Sequence, residues 1–220
     1  MARPLFTDAE REQIRRAVEE AERQTSGEIV PYVVGRSGRY EIAAWRGGAL
    51  GALVAAAVGM AVAWTYDGWG LGWLYSAWGM AIVMTLGGVL GALVAWFVLP
   101  LRRLLAGPAR MAERVHRRAE SAFLEEEVFA TRDRTGILLF VSLLEHRIEV
   151  LGDAGIDKVV EPEEWVEVVD RIRRGVKSGH LADGLVDAIG MCGALLHRSG
   201  VGIRPDDTDE LPGDVRVRER

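Results

Sequence analysis

Residues 47–101 constrain this chain more than any other stretch, because they decide which solvent its remaining residues meet. From Gly47 to Tyr66 no side chain is charged. Twenty residues at about 1.5 Å each match a hydrocarbon core about 30 Å thick. From Gly68 to Leu101 another thirty-four residues are uncharged, enough for a second span and a short approach rich in glycine and aromatic residues. The pattern predicts a transmembrane hairpin with spans over about 47–66 and 78–99, joined at Asp67-Gly68. Buried helices of a soluble protein carry shorter apolar runs with a polar edge, and a secretory signal begins near the N-terminus rather than after forty-six residues.

Charge sets the expected orientation. Arg36, Arg39 and Arg46 precede the first span, Arg102, Arg103 and Arg110 follow the second, and the connection carries only Asp67. The positive-inside rule then predicts an inner (plasma) membrane protein with two spans and both termini in the cytoplasm. Trp64, Tyr66, Trp69, Trp73 and Tyr75 would form an aromatic belt at the outer turn. Gly47 with Gly51, and Gly87 with Gly91, have the small-xxx-small spacing that lets helices approach, read here as packing within the hairpin. With no acid, base or histidine inside either span, an ion path or proton relay has nothing to work with. The spans anchor the chain and make the lipid bilayer its first partner.

The flanks are mildly acidic, nineteen Lys or Arg against twenty-three acids after residue 101, so nucleic-acid binding is not expected. Thr7-Asp8-Ala9-Glu10 forms a capping box opening a helix to about Gln24, with Ile14, Ala17, Val18 and Ala21 on one face. Residues 28–34 read as a strand in which Pro31, lacking an N–H, favours an edge or a strand start. After the hairpin, a helix from Pro108 to about Val128 leads through a turn to strands at 137–141 and 147–151, paired as a β-hairpin with Glu145-His146 near its tip. Two helices follow, one opened by Glu161-Pro162 and buried through Trp165, Val168, Val169, Ile172 and Val176, the other buried through Leu181, Leu185, Ala188, Ile189, Cys192 and Leu195. Residues 202–220 read as a disordered tail.

Neither flank holds enough structure to bury its own apolar faces. If 28–34 pairs in parallel with 137–141, the helix after Pro108 supplies the right-handed crossover, and one α/β domain is assembled from residues 5–40 and 108–199 around an inserted hairpin, 47–101.

Several segments in this order resemble the TPM-domain family: Leu5-Phe-Thr-Asp-Ala-Glu10, Thr25-Ser-Gly-Glu-Ile-Val30, Asp133-Arg-Thr-Gly-Ile-Leu-Leu-Phe-Val-Ser142, Arg147-Ile-Glu-Val-Leu151, Gly155-Ile156 and Gly179-His-Leu-Ala-Asp-Gly184. The resemblance implies an α/β/α sandwich around a small mixed sheet, here interrupted by a two-helix transmembrane hairpin as in the bacterial membrane-protein branch. Its functional implications diverge. Plastid members are associated with acid phosphatase activity and photosystem repair, several bacterial members with binding calcium or related divalent ions, and animal members with receptor regulation.

Glu28, Asp133, Asp153 and Asp157 are the acids expected at one sheet edge. Two readings stand: they hold calcium or another divalent cation, with carbonyls near Gly136, Gly152 and Gly155 joining in, or Asp133 and Asp153 close turns on their own backbone. No phosphate loop, metalloprotease motif or nucleophile elbow is present. Cys192, the one cysteine, falls on an apolar helix face, and His116, His146, His180 and His197 are scattered. The expectation is a tethered scaffold or regulatory module with a membrane-protein partner; the alternative is a membrane-bound phosphatase of low specificity.

Overall fold

The computed structural model describes residues 4–65, 72–203 and 210–218. In chain order its elements are α1 (Asp8–Glu22), β1 (Glu28–Val34), α2 (Glu41–Thr65), α3 (Ala77–Phe97), α4 (Leu99–Ala106), α5 (Pro108–Glu125), β2 (Gly136–Ser142), β3 (Arg147–Gly152), α6 (Val166–Ser178), α7 (Leu181–Arg198) and β4 (Arg216–Arg218), with short 3-10 turns at Gly72–Tyr75 and Pro162–Trp165. They divide into two compact units, residues 1–38 with 112–220, and residues 39–111.

The first unit is a mixed four-stranded sheet of order β3-β2-β1-β4. α1 opens on the expected capping box, the Glu10 N–H donating to the Thr7 hydroxyl and the Thr7 N–H to the Glu10 carboxylate. β1 and β2 pair in parallel over seven residues, from Glu28 opposite Gly136 to Val34 opposite Ser142, although the hairpin separates them in sequence. β3 returns antiparallel to β2. Period-two alternation sends the strand side chains into two cores. Ile29, Val33, Ile137, Leu139 and Val141 meet α1, α6 and α7, while Val30, Tyr32, Val34, Leu138 and Phe140 meet Val115, Ala119 and Ala122 of α5. With helices on both faces, every residue of β1 and β2 is buried.

Pro31 lies inside the sheet rather than at its edge. The Glu28 N–H donates toward β2, to the Thr135 carbonyl, and the Gly35 N–H toward β4, to the Arg218 carbonyl. By this alternation the nitrogen of Pro31 faces the β4 side. β4 pairs only with Tyr32, Val33 and Val34, so proline occupies the one stretch of β1 where that side has no ladder to break.

The expected disordered tail departs from the structure in its described part. Arg216–Arg218 is the fourth strand, and Leu211 and Val215 are buried, one in each core. The segment is too short and too charged to show a strand period, and its fold depends on partners: Glu126 pairs with both Arg216 and Arg218.

In the second unit α2 and α3 are long and apolar enough to cross a membrane. They pack antiparallel through glycine. A Cβ at Gly51 would lie 2.3 Å from the Gly87 carbonyl oxygen, and one at Gly91 would lie 2.3 Å from that of Gly47, so no side chain fits at this contact. α2 starts at Glu41, ahead of the expected span, and α3 ends at Phe97 because Pro100 cannot donate back into it and instead opens α4. Trp64 and Trp78 are exposed at one end of the pair, and Trp45 and Trp96 reach the surface at the other. The two tryptophans on each helix stand about 27–29 Å apart along its axis, close to a hydrocarbon thickness. Of the expected belt, Tyr66 and Trp69 lie outside the described residues, as does Asp67.

Candidate functional site

The register brings the starts of β1 and β2 and the end of β3 to one corner of the sheet. Glu28 sits opposite Gly136, whose carbonyl accepts the Asp153 N–H at 2.9 Å. The turn at Asp133 and Arg134 touches the turn at 153–157: the Gly155 N–H donates to the Arg134 carbonyl at 2.8 Å, and a Cβ on Gly155 would lie 2.4 Å from the Asp133 carbonyl oxygen. Glycine is required there because the two backbones meet without room for a methyl group. Glu28, Asp133, Asp153 and Asp157 therefore share a corner, as their order in the strands predicts.

Their side chains do different work. Asp153 is 5 % exposed. Its Oδ1 accepts the Ala154 N–H at 2.7 Å and Arg134 Nη2 at 2.9 Å, while Oδ2 lies 2.6 Å from Arg134 Nε as an ion-pair contact without hydrogen-bond alignment. The Arg134 guanidinium also lies over the Phe129 ring at 5.7 Å. Glu28, also buried, accepts the N–H groups of Glu210 and Leu211 at 3.2 and 3.3 Å. Asp133 and Asp157 are exposed, and the Asp157 N–H donates to the Asp153 carbonyl at 3.0 Å. Asp153 thus closes a turn on its own backbone, and Glu28 fixes the segment leading to β4. Among the described residues, no three His, Cys, Asp or Glu side chains converge as a metal-binding group.

A second polar cluster lies at the opposite, C-terminal ends of β1 and β2. The Glu145 carboxylate accepts the Ser37 N–H at 3.0 Å and the Ser142 hydroxyl, and the hydroxyls of Ser37 and Ser142 lie 2.7 Å apart. Ser142 and Glu145 are both buried. The N–H groups of Leu143 and Leu144 donate to the Val34 and Gly35 carbonyls, so the cluster ties the chain leaving β1 to the β2–β3 turn. Sequence reasoning places Glu145 near a hairpin tip and misses its burial, because its partner Ser37 lies 108 positions away. No local spacing could have found that pair.

Among the described residues, the remaining reactive side chains do not assemble. Cys192 is fully enclosed, and burial pushes its thiol up to about 12, away from the thiolate that reacts. His116 lies 3.4 Å from Glu120 and 3.5 Å from Glu149, and His197 approaches the Gln24 carbonyl. A cleft of about 190 Å³ opens where Gly175 of α6 meets Gly184 of α7, but Arg171 at its wall is already paired with Asp187.

No family model matches the chain, and no curated protein matches it. Among solved structures it is similar to the BA42 protein from the psychrophilic bacterium Bizionia argentinensis, determined by NMR, with 20% identity over 99% of each chain and a TM-score of 0.60. At that identity the likeness is one of fold.

Proposed function

We propose that the chain is a two-span inner-membrane protein whose α/β domain, TPM-like in architecture, lies in the cytoplasm and serves as a tethered scaffold or regulatory module for a membrane-protein partner. The observation that carries this reading is the seven-residue parallel pairing of β1 with β2 across the inserted hairpin. The central strands of the domain lie on either side of the hairpin in sequence, so the hairpin is an insertion within one α/β domain. An enzyme would need a nucleophile with a base, or a metal with its ligands. A divalent cation such as calcium would have to displace Arg134 from Asp153 and the 210–211 amides from Glu28, so the scaffold reading assigns no step to a metal.

The test uses the full chain in native membranes, with photo-crosslinking side chains placed on the exposed faces of α6 and α7, and an assay for phosphomonoester turnover with and without calcium. The expected outcome is a reproducible crosslink to a membrane protein and no turnover. Turnover that disappears in Asp133→Ala or Asp153→Ala while folding is retained would overturn the scaffold reading in favour of a phosphatase.

A further inference from the structure

The second unit carries a charge opposite to that of the rest of the chain. Residues 39–111 hold five arginines against Glu41 and Asp67, whereas the remaining residues hold twenty-two Lys or Arg against thirty acids. Those five arginines all belong to the ends of the hairpin that connect to the sheet, while Asp67 belongs to the far connection. Three of them lie on α2 and α4, at the end of the hairpin where α4 packs against α2 and α3. Arg46, on α2, donates from Nη1 to the Leu105 carbonyl at the end of α4, at 2.7 Å. Arg102, on α4, places its guanidinium 5.1 Å from the centre of the Trp96 ring, and its Nε is buried without a hydrogen-bond partner among the described residues. Arg103 is the adjacent residue of α4.

The surroundings specify a chemistry. Trp45, Trp96 and Phe97 reach the surface at this level, with Leu99 and Leu104 of α4 exposed beside them. Aromatic rings and an amphipathic helix at the end of two apolar spans mark the headgroup layer. Guanidinium groups there, with planar forks of donors and no acid between residues 42 and 66 or 68 and 112, match a phosphate. We propose that Arg46, Arg102 and Arg103 form a seat for the phosphate of an anionic lipid headgroup, with the Trp96 ring backing the Arg102 guanidinium. This rests on the membrane-spanning reading. It adds that the anchor selects its lipid.

The experiment reconstitutes the full chain into vesicles of phosphatidylcholine containing a minority of phosphatidylglycerol, then re-extracts it in mild detergent and counts the retained lipids by mass spectrometry. Phosphatidylglycerol should be enriched over the bulk, falling roughly fivefold for each arginine removed in Arg46→Gln, Arg102→Gln and Arg103→Gln. Arg102→Lys with Arg103→Lys keeps the charge but removes the planar forks, so it should insert as the parent does and retain only part of the enrichment. Normal insertion without enrichment, or equal enrichment in the triple glutamine variant, would overturn the lipid seat alone. Displacement of phosphatidylglycerol by millimolar inorganic phosphate would make the site one for free anions and would also overturn it. Failure to insert into these vesicles would overturn the membrane reading as well.

Discussion

Glu28 and Asp153 illustrate how a buried carboxylate is held by donors of the chain itself. Each is about 5 % exposed and each faces donors: two backbone N–H groups for Glu28, an amide and a guanidinium for Asp153. Removing an acceptor leaves donors that must be rehydrated, at about 1–3 kcal/mol per group. Glu28→Ala should therefore lower stability by about 2–4 kcal/mol in chemical denaturation, with amide exchange at Glu210 and Leu211 accelerated first. An unchanged midpoint would mean that the 210–211 segment is held by its apolar contacts alone. Cys192 gives a pH prediction. Its folded value, pushed up to about 12 from an ordinary 9.0, lies above that of the unfolded chain. Its contribution is complete below about 9 and is lost between about 9 and about 12, as the unfolded thiol ionises first. Cys192→Ala should flatten the fall in stability over that window relative to the parent. At this scale, the corner occupied by the four acids was legible because strand order fixes which ends adjoin. Their partners were not: Arg134 is adjacent to one acid in sequence, but the 210–211 amides meet Glu28 across more than 180 residues.

Among the elements, α1, α7 and the three longer strands follow closely from caps, apolar period and turn residues, because each carries its signal within its own length. β4 does not, since three residues with two arginines become a strand only when β1 offers an open ladder and Glu126 offers a countercharge. Deleting residues 210–220 should expose the β1 edge and remove Leu211 and Val215 from their cores. A loss of several kcal/mol is expected, of order 1.5–3 for each fully buried side chain, and would register as a lowered denaturation midpoint and new aggregation. The α2–α3 contact gives a sharper geometric test. A Cβ at Gly48 would lie 3.5 Å from the Cβ of Ala92, within the range that a disulfide spans. Gly48→Cys with Ala92→Cys should crosslink within one chain under mild oxidation. Adding Gly51→Leu should abolish that crosslink, because its Cβ alone would press on the Gly87 carbonyl. A crosslink that survives Gly51→Leu would show that the helices do not meet through this glycine face.

The whole molecule combines two kinds of surface: a sheet enclosed by helices, and a helical pair whose apolar side chains stay uncovered. The sheet buries its strands between helices, and the hairpin leaves Leu50, Leu53, Leu86, Leu90 and Leu93 exposed on helices whose charge-free length fits a bilayer. In water those side chains would drive association, while in lipid they need no further partner. The parallel pairing of β1 with β2 makes the arrangement a single folding problem rather than two, which the sequence suggested from the incompleteness of each flank. The most direct measurement is labelling of introduced cysteines in intact cells with a membrane-impermeant maleimide. Gly72 and Gly190 are suitable sites, since a side chain added at either meets nothing within 4 Å. Gly72→Cys should be labelled without permeabilisation and Gly190→Cys only after it. Labelling of both from the same side of an intact membrane, or recovery of the chain in the soluble fraction, would contradict the inserted transmembrane hairpin.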